Sequence, residues 1–207
     1  MPRSALQRHH LLDDPREAPV AFRIRCGGQT RELVTWPPDG AAWQMRISVA
    51  DVVQDGTFSA YPGVQRWFAV VAGAGVVLRL GAGEGSDKTQ ERHLDAQSAP
   101  LQFAGATPVD CSLMDGPTID LNLMVTDGGR GEMIALSSGV SWTCGHRMGG
   151  LFTRVAGRLA IAGRGSRQVT GQTLCWLDDA RGAGLRFEAL GPAEGPPAIA
   201  LAFSPAD

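Results

Sequence analysis

Lysine is almost missing from this chain: Lys88 is the single one, and every other basic residue is arginine. That skew reads as a mark of a GC-rich genome rather than of chemistry. With 19 basic against 21 acidic residues the formal charge is −2, which leaves no basic footprint. Nucleic-acid binding and polybasic membrane attachment are therefore disfavoured. No stretch of 18 or more apolar residues occurs, so no membrane-spanning helix is expected. The opening segment, MPRSALQRHHLLDDPREAP, lacks the apolar core of a secretory signal, and a soluble cytoplasmic protein is the expectation.

Metal and redox motifs are equally scarce. Cys26, Cys111, Cys144 and Cys175 show no CxxC spacing and no neighbouring histidine pair, which reads as buried thiols. The four histidines are His9, His10, His93 and His146, and no two stand at the i, i+2 spacing that would aim both from one strand face. No metal and no cofactor are expected. The glycines at 73, 75, 81, 83 and 85 precede no helix and no Lys-Ser/Thr pair, so they read as hairpin turns. Ser48 sits in no Gly-x-Ser-x-Gly elbow, and no catalytic nucleophile is assigned.

What is present is a series of short β-type runs. Glycine (27) and proline (13) are spread along the whole length and break any long helical period. Between them lie runs such as 44–53, 66–80, 119–125, 150–155, 173–177 and 198–203, separated by turn sequences including Asp55-Gly56 and Asp127-Gly128-Gly129. Many short strands at spacings of about 8–12 residues predict an all-β sandwich or barrel. A composition of 43% hydrophobic residues is enough for a sizeable core. The segment 127–132 is the expected internal boundary. After it, LFTRVAGRLAIA (151–162) loosely echoes 67–80 as strand, turn and strand, which a duplicated barrel would explain.

Three segments place polar groups where period-2 alternation would otherwise put apolar ones. Arg46 and Ser48 share one face of the run from Met45, while Met45, Ile47 and Val49 take the other. Thr30 and Glu32 alternate with Arg31 and Leu33, and Asp120 and Asn122 alternate with Ile119, Leu121 and Leu123. Two readings stay open: a polar pocket, or a buried ion-pair network of Arg46, Glu32 and Asp120 that holds the strands in register. In a pocket, Arg46 would take a carboxylate bidentately, and Asp120 or Glu32 would accept from a ligand N–H. Arg66 joins either arrangement. Phe58, Tyr61 and Phe103 are the nearest aromatics in sequence and either wall the pocket or pack the core; Trp43, Trp67, Trp142 and Trp176 read as packing.

Three blocks carry a family resemblance: GGQTREL (27–33); RISVA (46–50) running through DGTFS (55–59) to Tyr61-Pro62-Gly63 and Arg66; and DLNLM (120–124). The chain resembles the HutD/Ves family of cupin-like proteins, often encoded with histidine-utilisation genes. That resemblance implies a bicupin: a tail over 1–20, a first jelly-roll barrel with a pocket over 21–126, and a second, smaller barrel over 133–207. It also implies binding of a small carboxylate metabolite of histidine breakdown, such as urocanate or a formylated glutamate derivative, with no established catalysis. The three segments above then converge on the first barrel. A metal-independent isomerase or hydrolase using Glu32 or Asp120 as acid or base is the alternative, and a partner-binding role for the second barrel is a third. A homodimer through edge strands is compatible with the fold. One departure stands out: Arg23, Arg25 and Cys26 occupy positions where the family usually has Trp, Asn and Gly, which alters the lip of the pocket.

Overall fold

The computed structural model describes residues 7–10, 20–23, 30–38, 42–81 and 89–206, with backbone alone for the first two stretches. Every regular element among them is a strand. In chain order these are β1 (Gln7–His10), β2 (Val20–Arg23), β3 (Arg31–Trp36), β4 (Met45–Val52), β5 (Gly56–Thr57), β6 (Val64–Gly73), β7 (Val76–Leu80), β8 (Gln90–Leu94), β9 (Leu101–Ala104) and β10 (Val109–Leu113). They continue with β11 (Thr118–Thr126), β12 (Arg130–Leu136), β13 (Ser141–Thr143), β14 (Met148–Thr153), β15 (Gly157–Ile161), β16 (Gly165–Val169), β17 (Thr173–Leu177), β18 (Gly184–Ala189) and β19 (Ala198–Ser204).

Two compact units divide the chain: Gly27–Gly129, and Met1–Cys26 together with Arg130–Asp207. The first unit pairs a sheet of order β3-β4-β11-β6-β9 with one of order β5-β10-β7-β8. Its interior joins both sheets through Phe68, Val70, Leu78, Leu80, Phe103, Val109 and Cys111. In the second unit the orders are β1-β2-β17-β14-β19-β12 and β13-β18-β15-β16. Strand β2 pairs with β17 there, so the segment around Val20–Arg23 completes a sheet of the C-terminal unit.

Adding eight to each strand number turns the order β4-β11-β6-β9 into β12-β19-β14-β17, and β5-β10-β7-β8 into β13-β18-β15-β16. The two units repeat one topology. The loose echo between 67–80 and 151–162 falls on equivalent strands, β6–β7 and β14–β15.

The interiors differ in chemistry. In the first unit, β11 sends Asp120, Asn122 and Met124 inward; the matching β19 sends Ala198, Ala200 and Ala202. Those small side chains leave room for Trp142, Leu151, Leu159 and Phe187, which close the second interior with hydrocarbon. Packing there is tight enough that Gly149 on β14 has no space for a Cβ, which would lie 2.7 Å from Cys144 Sγ and 3.2 Å from the Trp142 ring. One copy of the fold is solid and the other is hollow.

Candidate functional site

Register fixes the hollow. On β11, Met124 is the Cα partner of Arg46 on β4 and of Arg66 on β6; Asn122 faces Ser48 and Phe68; Asp120 faces Ala50 and Val70. Side chains directly across a ladder project to the same face. Nine positions therefore form a grid on one wall, with an arginine at two of its corners about 10 Å apart, two strand spacings. The opposite face of β4 and β11 is apolar and buried, with Met45, Ile47, Val49, Leu121 and Leu123 at 0% exposure. A one-residue slip would send both arginines among those residues, so the register is held by its alternation.

A cavity of about 250 Å³ opens over this wall. Its lining includes Thr30, Arg46, Ser48, Phe58, Tyr61, Arg66, Asp120 and Asn122 from the sequence reading, and also Ala50, Val52, Thr57, Ser59 and Met124. Two expected residues lie elsewhere. Glu32 is exposed and absent from the lining although its Cα pairs with Ser48: β3 is the edge strand of its sheet, where a side chain has a neighbouring strand on one side alone. Phe103 is buried core, reaching the site only as a ring 5.5 Å from the Arg66 guanidinium. The side chains of Arg23, Arg25, Cys26 and the GGQ half of the first motif lie outside the described residues.

Arg46 is held by aromatic faces rather than by a carboxylate. Its guanidinium sits 5.1 Å from the Trp43 ring centre and 5.3 Å from that of Tyr61. Nη2 donates to Tyr61 Oη and to Met124 Sδ, each at 3.3 Å, while Nε is buried with no hydrogen-bond partner. Trp43, which the sequence presents as packing, forms this cage with Tyr61; its alternation with Met45 gives no signal of the role. Tyr61 is placed by its own backbone, whose N–H donates to the Gly105 carbonyl at 2.7 Å. Gly105 permits that approach, since a Cβ there would lie 2.6 Å from the Tyr61 carbonyl.

Arg66 is buried over the Phe58 ring at 4.4 Å and donates Nε to Asn122 Oδ1 at 2.9 Å. Burial lowers its pKa from the ordinary value, with Asp120 pulling the other way. Asn122 in turn donates Nδ2 to Asp120 Oδ1. Burial pushes the Asp120 carboxyl up to about 7, although Arg66, the Asn122 hydrogen bond and the Ala50 backbone favour its charged form.

Ion pairing does not account for these groups. In this unit the described ion pairs are Arg31–Asp51 at 3.2 Å, Arg79–Glu91 and Glu91–His93, none of which touches the cavity. The expected network of Arg46, Glu32 and Asp120 does not form. Two guanidinium groups thus face one carboxyl, so the described lining carries a net positive charge at any protonation state of Asp120. With one carboxylate and no imidazole, the lining is a poor donor set for the transition metals that many cupin-like folds hold. No group of three metal-ligating side chains exists among the described residues.

The HutD family model matches residues 26–194. The chain belongs to the HutD family. It is 30% identical to Protein Ves from Citrobacter koseri over 170 residues, 80% of this chain and 82% of that one. Among solved structures, HutD from Pseudomonas fluorescens SBW25, determined in a formate condition, superposes with a TM-score of 0.64 at 18% identity, covering 96% of this chain and 94% of that chain. Salicylate 1,2-dioxygenase from Pseudaminobacter salicylatoxidans reaches a TM-score of 0.55 at 8% identity, covering 93% and 85%. The HutD-family chain is therefore all-β with a cupin-like fold. Among the described residues no helix is long and apolar enough to cross a membrane.

Proposed function

We propose that this protein is a bicupin whose first barrel binds a small carboxylate metabolite linked to histidine utilisation, sensing or buffering it without turning it over. The observation that carries the reading is Arg46: a guanidinium walled by two rings, whose buried Nε finds no partner and no carboxylate among the described residues. An orphaned N–H of this kind costs about 1–3 kcal/mol, so an acceptor supplied from outside recovers that loss. A carboxylate meets a guanidinium edge bidentately, and Arg66 adds a second cation across the same wall. Ser48 and Asn122 supply neutral groups between them. The cavity volume suits a ligand of metabolite size, and among the described residues the interior of the second barrel is filled by Trp142, Phe187 and their neighbours.

Urocanate and N-formylglutamate are the ligands of this class that fit the family's association. A thermal-shift screen with both, and with formate as the smallest probe, tests the reading. Stabilisation is expected in the wild-type protein and is lost in Arg46→Met. No shift with any of the three anions removes the proposal.

One observation favours a second reading. A buried carboxyl titrating near neutrality is what general acid–base catalysis requires, and Asp120 alone fits, because Glu32 lies outside the cavity. Conversion of a bound carboxylate by the wild-type protein, abolished in Asp120→Asn while binding persists, would make the barrel an enzyme.

A further inference from the structure

Among the described residues no cation touches the Asp120 carboxyl directly. Arg66 reaches it only through the Asn122 amide, which accepts from Arg66 Nε and donates to Asp120 Oδ1. The charged and titratable groups that act on it are Arg66 from β6, Cys111 from β10, and Asp51, which the register puts on the other face of β4; Arg46 and Tyr61 share the cavity lining. Asp51 is tied to Arg31, and burial holds the Cys111 thiol un-ionised, pushed up to about 11. Asp120 is thus the group in this wall whose charge is free to change near neutrality.

Its two forms offer a bound anion opposite chemistry. Ionised, Asp120 has only acceptor oxygens and repels a carboxylate entering the same 250 Å³ space. Protonated, it presents an O–H donor and leaves two guanidinium groups to match the incoming charge. Like charges sharing a small site raise the pKa of one of them. We propose that the barrel takes up its carboxylate together with a proton, which settles on Asp120 and makes that side chain a hydrogen-bond donor to the ligand. The step is a plain association: the ionised carboxyl, one proton and one carboxylate anion give a complex holding both. This inference rests on the carboxylate reading above and adds a direction to it, tighter capture as the pH falls through neutrality.

Calorimetric titration of the whole protein with formate and with N-formylglutamate tests it. Neither probe titrates near neutrality, because their carboxyls ionise at about pH 4. At pH about 7.5, in HEPES and in Tris, whose ionisation heats differ, about three-quarters of a proton taken up per anion is expected. The dissociation constant should weaken above pH about 7, by at most tenfold per pH unit. Asp120→Asn, isosteric with the protonated carboxyl, should lose both the uptake and the pH dependence. Binding without proton exchange, binding with proton release, or uptake that survives Asp120→Asn each overturns the inference and leaves the carboxylate site standing. Failure of both anions to bind overturns the carboxylate reading and this inference with it.

Discussion

Replacing Asp120 by asparagine isolates the cost of burying that carboxyl. In an unfolded chain an aspartate titrates near 3.9, whereas burial pushes Asp120 up to about 7. An acid raised in this way weakens the fold as the pH climbs past the unfolded value, and the loss stops growing once the folded form ionises too. At about 1.4 kcal/mol per pH unit of the gap, the full penalty is about 4 kcal/mol, of which about 2.5 kcal/mol falls between pH 5 and pH 8. The amide introduced by Asp120→Asn would keep the contact with the Asn122 side chain and carry no charge to bury. Urea unfolding followed by tryptophan fluorescence, on wild type and Asp120→Asn at both pH values, reads the difference. With a slope of about 2 kcal/mol/M, the variant's midpoint should gain roughly 1 M on the wild type between pH 5 and pH 8. Other titrating groups are common to both proteins and cancel in the comparison. Parallel pH profiles would refute the reasoning, because they would mean that Asp120 is as well solvated in the fold as out of it.

Arg46→Met should keep the fold and lower carboxylate affinity roughly ten- to hundredfold, the value of about 1.5–3 kcal/mol for a charge-assisted contact, read by equilibrium titration. Gly150→Ala should destabilise by about 2–3 kcal/mol, since its Cβ meets backbone of β17 that cannot yield, while Gly56→Ala, with open space around it, should be close to neutral; thermal melts compare them. Cys111, Cys144 and Cys175 are buried with thiols pushed up by burial, so mass-spectrometric mapping should find them unalkylated at pH 8 until denaturant is added.

The strands legible in the sequence are those with an apolar face. Thr173–Leu177 coincides with its expected run, and 198–203 is one residue short of β19. Among the strands that escape, Gln90–Leu94 and Gly165–Val169 occupy the same edge position in the two smaller sheets and are exposed over all but their last residue. An edge strand facing water needs no hydrophobic period, so it leaves none to read. The site follows the same logic. Arg46, Ser48, Asp120 and Asn122 are visible because each breaks an apolar alternation, and the ladder does bring them together. Glu32 keeps its place opposite Ser48 but stands exposed on the edge strand β3, and alternation alone does not tell an edge strand from a central one. Trp43 escapes because its partner is a cation three residues away across a turn into β4, a relation that strand periodicity does not encode.

Crystals of the protein soaked in formate put the central claim to its most direct test. An anion in the first barrel, its oxygens within hydrogen-bond distance of Arg46 Nε and turned toward the Arg66 guanidinium, is the predicted result. A lumen that stays free of anion, with Arg46 Nε still unpartnered at saturating formate, would contradict the account.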